Sequence, residues 1–258
     1  MALIKKQLLN TTVYNLLTWL SKLAIFPIVV KSFDVAGYGS YGLLNALIVY
    51  GSIVFSAELY AFLRKELPGK EENYQLAMYK SVHLPFLVVV VLLILAIMGL
   101  NLEGQIAYLI GDKSLTDEVF YALIIIIAEI GIKDIIRYFV SVKKIQIGNF
   151  LSFFNQQSWG LTLIALYFYG VPITIELWLK IKVVTVFLSF VIGLNLVGVK
   201  KLLKAEFNIK YLFKALGFSS VILLGVFMTQ TGTFLSRFFV KEFISIQAIG
   251  LFFFSLKL

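Results

Sequence analysis

The stretch LVVVVLLILAIMGL (87–100) decides the class of this protein, because it is an apolar run in which polar and apolar residues do not alternate. Backbone polar groups in lipid must be hydrogen-bonded within the segment, so such a run predicts a membrane-spanning helix rather than a strand. Of the 258 residues in the chain, 60% are hydrophobic and 14% are charged, whereas soluble domains average about 45–50% and about 25%. The composition excludes a soluble globular protein.

Hydrophobic runs long enough to cross a hydrocarbon core of about 30 Å recur along the whole chain. We predict seven full spans and an incomplete eighth, at 8–30, 41–63, 82–100, 119–142, 150–169, 177–199, 215–235 and 244–258. The connections between them are short and leave no room within this chain for a soluble catalytic or nucleotide-binding domain. The predicted fold is an all-α, polytopic transmembrane helical bundle.

Lysine and arginine are distributed unequally between alternate connections. One side carries thirteen of them: Lys5, Lys6, Arg64, Lys65, Lys70, Lys80, Lys143, Lys144, Lys200, Lys201, Lys204, Lys210 and Lys214. The other side carries four: Lys31, Lys113, Arg237 and Lys241. Because basic residues accumulate in cytoplasmic loops, we predict a cytoplasmic N-terminus in a multi-pass protein of the inner (cytoplasmic) cell membrane. The net charge of +9 is thus interpreted as an orientation signal and not as a nucleic-acid-binding surface.

Two features of the composition argue against cofactor and metal chemistry. The chain has no Cys and a single His, His83, which disfavours thiolate or histidine metal sites and catalytic triads. We expect His83 to lie at the membrane interface, just before Pro85. The segment GYGSYG (37–42) matches the dinucleotide pattern G-x-G-x-x-G, but spanning helices flank it where that pattern needs a strand and an amphipathic helix. We therefore expect no cofactor and no metal.

The first predicted helix carries a polar stripe. Thr11, Asn15, Thr18 and Lys22 recur at helical period and share one face. Lys22 lies about 14 residues, or roughly 21 Å at 1.5 Å per residue, from the cytoplasmic end of the helix. Ionisable groups at such a depth usually face a bundle interior or a wet cavity. The stripe predicts a cavity-lining face.

The fourth predicted helix carries four ionisable residues in one sector: Glu129, Lys133, Asp134 and Arg137. Two interpretations stay open. The cations could face a cavity and bind an anionic substrate together with Lys182 of the sixth helix. Alternatively, Glu129 with Lys133, and Asp134 with Arg137, are spaced to neutralise each other.

Depth along the helices predicts two further ion pairs. Lys22 and Glu129 lie within about 3 Å of the same height, and Glu58 and Arg137 each lie about 7–9 Å from the cytoplasmic end. We expect at least one of these pairs to form inside the bundle, because an unpaired charge there is costly.

Several segments resemble one family of transporters. They include an opening helix with Asn10, Asn15 and Pro27, the outer turn VAGYGSYGLLNAL (35–47) and a second helix that ends YAFLRKELPGK (60–70). This arrangement is similar to the start of Wzx-type O-antigen and polysaccharide flippases, which belong to the multidrug/oligosaccharidyl-lipid/polysaccharide exporter superfamily. Residues 228–258 are similar to the family's seventh helix, outer turn and eighth helix. An acidic residue that often stands near Thr231 or Thr233 is absent, and Phe252 replaces the family's Tyr.

The resemblance implies a flippase that moves a polyprenyl-diphosphate-linked oligosaccharide, a precursor of O-antigen, capsule or exopolysaccharide, by alternating access between two lobes. Residues 1–199 would form an N-terminal six-helix lobe, and 200–258 a basic cytoplasmic linker with the first two helices of a truncated second lobe. Because the family has twelve to fourteen helices, the resemblance also implies a fragment, with a half-size functional unit as the alternative.

The resemblance also implies partners and site residues. The partners would be the lipid-linked oligosaccharide, membrane lipids, a polysaccharide polymerase and a chain-length regulator. Lys22 would be the main diphosphate contact, and the polar stripe would solvate sugars. The substrate-binding candidates are Lys22, Asn15, Thr18, Lys133, Arg137 and Lys182, and the charge-pairing candidates are Glu58, Glu129 and Asp134.

Two other functions stay open. An ion-coupled drug or metabolite exporter of the same superfamily would have a cavity richer in acidic than in basic residues. A membrane glycosyltransferase or polymerase would need a catalytic acidic or Arg-rich outer loop. The outer loop 101–118 carries four acidic residues but neither Arg, His nor a closely spaced aspartate pair. We therefore expect a transporter and not an enzyme.

Overall fold

A computed structural model describes residues 2–56, 58–110 and 112–243. Within these ranges the secondary structure is entirely helical: α1 (Ala2–Ser32), α2 (Val35–Val54), α3 (Tyr60–Glu66), α4 (Glu72–Gly99), α5 (Glu103–Leu109), α6 (Thr116–Ser141), α7 (Ile145–Phe168), α8 (Ile175–Val197), α9 (Val199–Lys204) and α10 (Ile209–Phe243). A short 3-10 turn, Lys113–Leu115, precedes α6. The predicted all-α fold is confirmed, and the predicted eighth span lies outside the described residues.

Four helices within the described ranges are long and apolar enough to cross a membrane: Asn10–Ser32 of α1, α4, α8 and Ile209–Gly232 of α10. The protein covers little of α1 and α10, in which only 11% of the apolar part is buried, and more of α8, in which the share is 39%. Trp19, Leu92 and Val221 are 67%, 60% and 77% exposed. Exposed apolar surface on this scale requires a lipid environment, so the chain is a membrane-embedded protein.

Local signals explain where several helices begin and end. The Asp34 carboxylate accepts a hydrogen bond from the backbone N–H of Gly37 at 2.6 Å, which caps the start of α2. Thr174 caps α8 in the same way through the N–H of Leu177 at 3.1 Å. Gly198 ends α8 with a φ of +89°, a left-handed conformation that glycine adopts without a side-chain clash.

The predicted second span, 41–63, is wrong as a single helix. Helix α2 ends at Val54 and α3 begins at Tyr60, and between them Glu58 has a φ of +50°. This left-handed conformation is uncommon for residues other than glycine. It places Glu58 inside the bundle, where the residue is 5% exposed and its Oε1 atom lies 3.9 Å from Nη2 of Arg137. The break therefore brings a buried carboxylate to a half-buried cation.

Helix α6 is the centre of the fold. It packs against α2, α3, α4, α5, α7 and α8, and its Ile125, Ile130, Ile132 and Ile135 are fully buried. Helix α1 packs chiefly on α7, whereas α10 packs on α2, α3 and α4. Two carboxylates of α6, Glu129 and Asp134, are consequently buried among other helices, which distinguishes α6 from the exposed helices α1 and α10.

Glycine allows α8 to approach α6 closely. A Cβ atom added at Gly131 of α6 would lie 2.6 Å from Cε2 and 2.9 Å from Cδ2 of Phe190 on α8. Small residues at helix interfaces permit this kind of packing in membranes, where van der Waals contact supplies much of the association energy.

We predict that Gly131→Ala destabilises the bundle and that the matched variant Gly225→Ala does not. A Cβ atom at Gly225 of α10 would meet no atom within 4 Å. Overpacking costs about 1–3 kcal/mol, whereas Gly→Ala in a helix otherwise gains about 0.5–1 kcal/mol. The measurement is thermal unfolding in detergent. An equal or higher midpoint for Gly131→Ala than for Gly225→Ala would contradict the close contact.

Candidate functional site

The first part of the candidate site is a set of ionisable groups around Asp134 of α6. Asp134 Oδ2 lies 2.7 Å from Nδ1 of His83 on α4, and Asp134 Oδ1 lies 3.8 Å from Nη1 of Arg137. Nη2 of Arg137 lies 3.9 Å from Oε1 of Glu58. The Arg137 guanidinium also lies over the Tyr60 ring, 4.0 Å from its centroid. These groups link α4 and α6 to the α2–α3 break.

The second part surrounds Glu129, one turn earlier on α6. Its Oε2 atom lies 3.1 Å from Nζ of Lys133 and accepts a hydrogen bond from the Asn155 amide of α7 at 3.5 Å. Lys133 Nζ donates to Ser52 Oγ of α2 at 2.8 Å. The positive charge of Lys182 on α8 also acts on the Glu129 carboxylate. Four helices therefore contribute to this part of the site.

The two parts together form what we term the α6 charge network, whose charges balance. It contains three carboxylates and three basic side chains: Glu58, Glu129, Asp134, Lys133, Arg137 and Lys182. Glu129 lies about 18–20 Å from either end of α6 at 1.5 Å per residue, near the middle of the helix. Isolated charges at such a depth are very costly. Pairing within the network lowers that cost.

The structure brings together most of the predicted charge partners. Glu129 lies beside Lys133, and Arg137 lies between Asp134 and Glu58, as the spacing and depth along the helices predict. The prediction that at least one of the two cross-helix pairs forms is therefore confirmed by Glu58 and Arg137. Lys22 forms no ion pair with Glu129, whose carboxylate contacts Lys133 of α6 and Asn155 of α7 instead.

The predicted stripe on α1 divides between two environments. Thr11 accepts a hydrogen bond from the Asn149 amide of α7 at 3.0 Å, so it faces the bundle. Thr18 is half-buried, whereas Asn15 and Lys22 are exposed. Lys22 lies about 15–18 Å from both ends of Asn10–Ser32 at 1.5 Å per residue. A cation is therefore exposed halfway along a helix that is apolar enough to cross a membrane.

Lys182 is buried, although it lies near the first residue of α8. It is 7% exposed, and its Nζ atom lies 5.5 Å from the ring centroid of Trp178, which is fully buried. The neighbouring Lys180 is exposed and pairs with Glu176 at 2.6 Å. Two lysines separated by one residue thus occupy opposite environments, because they lie on different faces of α8.

His83, predicted at the membrane interface, is buried among the helices. It is 5% exposed, its ring centroid lies 4.9 Å from that of Tyr79, and its Nδ1 atom contacts Asp134. Among the described residues, Nε2 of His83 has no hydrogen-bond partner. The helical spacing of Leu76, Tyr79, His83 and Val90 places them on one buried face, and this signal could have located His83 inside the bundle.

The two ends of the bundle differ in charge. A cavity of about 600 Å³ at one end is lined by the carboxylates of Glu103, Asp117, Glu118 and Glu176. A cavity of about 710 Å³ at the other end is lined by Lys144, Lys200, Lys201 and Glu72. In the part of the chain that the structure describes, no three His, Cys, Asp or Glu side chains form a group that could hold a metal ion.

No family model, curated protein or solved structure matches this chain. Its resemblance to polysaccharide flippases therefore rests on the sequence segments quoted above.

We predict that Asp134→Asn strongly destabilises the folded bundle. Removing one partner from a buried charge network typically costs about 3–5 kcal/mol, because the remaining charges are left unpaired. The matched variant is Glu176→Gln, which removes a carboxylate from an exposed i, i+4 pair and should have little effect. Thermal unfolding in the same detergent compares the two variants. Similar midpoints would show that the network does not stabilise the fold.

Proposed function

We propose that the chain acts as a lobe of a flippase that moves a polyprenyl-diphosphate-linked oligosaccharide across the cytoplasmic membrane. The observation that carries this proposal is the exposed Lys22, midway along α1. An ammonium group at this depth is unfavourable in hydrocarbon and requires water or an anion beside it. A water-filled path along α1 supplies both, and a transported anion is then close to the cation.

The proposed charge of the substrate follows from which basic side chains already have a carboxylate beside them. Lys133 and Arg137 each lie beside carboxylates of the α6 charge network. Lys22, in contrast, has no carboxylate within ion-pair distance among the described residues. An ammonium group without a protein counterion is suited to a diphosphate. We therefore assign the diphosphate contact to Lys22, with Asn15 and Thr18 near sugar hydroxyls and the α6 charge network maintaining the shape of the lobe.

The proposed topology has seven or more spans and a cytoplasmic N-terminus. Glu72, Lys144 and Lys201 line one cavity, and Glu103 and Glu176 line another at the opposite end. Basic residues concentrate on the cytoplasmic side of membrane proteins, which supports the basic end as the inner one. We propose alternating access as the transport mechanism, without a catalytic reaction by this chain.

A second candidate function is an ion-coupled exporter. The observation that favours it is the contact between His83 and Asp134, two titratable groups that are 5% and 4% exposed. Buried carboxylate and imidazole groups within membranes commonly form proton relays. In this alternative, His83→Gln abolishes transport driven by a proton gradient, whereas the flippase proposal does not require that effect.

The proposed topology predicts the reactivity of single cysteines in intact cells. The chain contains no Cys, so each substitution introduces the only thiol. Cysteines at Lys31 and Lys113 should react with a membrane-impermeant maleimide from outside. Cysteines at Lys143 and Lys200 should react only after the cells are opened. The reverse pattern would place the N-terminus outside.

The flippase proposal predicts a specific role for the charge of Lys22. In reconstituted vesicles, Lys22→Ala should weaken binding of a polyprenyl-diphosphate sugar by roughly tenfold to a hundredfold, because a charge-assisted contact to the diphosphate is lost. Lys22→Arg should retain part of the binding, since the charge remains but its geometry changes. Binding is measured with a fluorescent analogue of the lipid.

The matched control is Lys31→Ala, which removes a lysine from the last turn of the same helix. It should bind the analogue as the wild-type chain does. Unchanged binding by Lys22→Ala, or equal losses for Lys22→Ala and Lys31→Ala, would contradict the assigned role of Lys22.

A further inference from the structure

The basic end of the bundle contains a cleft that the transport proposal does not use. It is the cavity of about 710 Å³, and Lys144, Lys200 and Lys201 line it together with the end of α8. Lys201 Nζ lies 3.0 Å from Oε1 of Glu72. Lys144 and Lys200 have no ion-pair partner among the described residues. The cleft therefore carries a net positive charge.

Helix α4 holds this part of the chain in place through two residues. Lys80 Nζ donates to the carbonyl oxygens of Leu203 and Ala205 at 2.7 and 2.9 Å. The Ser81 hydroxyl accepts a hydrogen bond from the backbone N–H of Asn208 at 2.8 Å. Together with the turn at Gly198, these contacts fix α9 and the linker that follows it beside the cleft.

Apolar side chains are exposed directly beside the lysines. None of the α9 residues is buried, and Leu203, Phe207 and Phe213 are 67%, 51% and 67% exposed. The cleft lies at the end of α8, and α9 with the linker 205–208 connects it to the start of α10; both α8 and α10 are long and apolar enough to cross a membrane. The exposed apolar residues therefore lie at the level where the membrane surface begins.

We propose that this cleft binds the headgroup of an anionic phospholipid, such as phosphatidylglycerol. Lys144 and Lys200 attract the phosphate, while Leu203 and Phe207 contact the upper part of the acyl chains. Lysines beside exposed apolar residues are characteristic of surfaces that bind anionic leaflets. A soluble phosphate ion would use only the charges and leave the apolar residues without a counterpart, which favours a lipid as the occupant.

A substitution of Glu72 tests whether this cleft binds a lipid phosphate. Its carboxylate pairs with Lys201 and competes with a lipid phosphate for that ammonium group. Glu72→Gln should therefore strengthen phosphatidylglycerol binding, although it removes an ion pair from the protein. A purely structural role of the lysines predicts no such gain.

The experiment uses the full chain, delipidated in detergent, with phosphatidylglycerol or phosphatidylcholine of identical acyl chains added back. Native mass spectrometry measures the lipid retained. The double variant Lys144→Gln/Lys200→Gln should bind phosphatidylglycerol at least roughly tenfold more weakly than the wild-type chain. The matched control Lys113→Gln/Lys180→Gln removes the same charge from the opposite end and should bind as the wild-type chain does.

Several outcomes would overturn the proposal. These are equal retention of the two lipids by the wild-type chain, equal losses in the cleft and control variants, or unchanged binding in the cleft variant. Competition by millimolar inorganic phosphate that removes the bound lipid would identify a free-anion site instead. If the double variant does not fold, Glu72→Gln decides the question, because unchanged or weaker binding by that variant would contradict the assigned site.

Discussion

The neutralisation of charge around α6 is the interaction on which the rest of the structure depends. Asp134 lies between His83 and Arg137, and Arg137 in turn reaches Glu58 at the break between α2 and α3. Together with the hydrogen bonds of Lys133 to Ser52 and of Asn155 to Glu129, these pairs connect α6 to α2, α4, α7 and the α2–α3 break. Apolar packing alone would select one arrangement of the helices less strongly than these ion pairs do, since lipid and apolar side chains are similar environments.

The sequence was sufficient to predict the interactions that depend on helical spacing. The apolar run at 87–100 lies within α4, and the pairing of Glu129 with Lys133 follows from residues four positions apart on one helix. The sequence was insufficient to predict features that involve a partner on a distant helix. The left-handed Glu58 lies beside Arg137, and His83 contacts Asp134, and both of these partners are α6 residues about 50 to 80 positions away in the chain. No periodicity in the α2 or α4 segments encodes those partners.

The charged residues fall into three groups with different proposed roles. The α6 charge network is internally balanced, and its members stabilise the fold. Lys22 is exposed in the middle of α1, where an anionic substrate could supply the missing counterion. Lys144 and Lys200 lie at the basic end, where an anionic membrane surface supplies it. The same side-chain chemistry thus has a different consequence at each depth in the membrane.

The central claim is that water reaches Lys22 at the middle of α1, and thiol accessibility tests this claim most directly. Because the native chain lacks Cys, Lys22→Cys can be compared with Leu92→Cys, which replaces an exposed apolar residue of α4. In bilayers, a small, permanently charged thiosulfonate should modify the cysteine at position 22 rapidly and leave that at position 92 unmodified. Equal protection of both cysteines would mean that the Lys22 face of α1 contacts lipid, and this result would contradict the account.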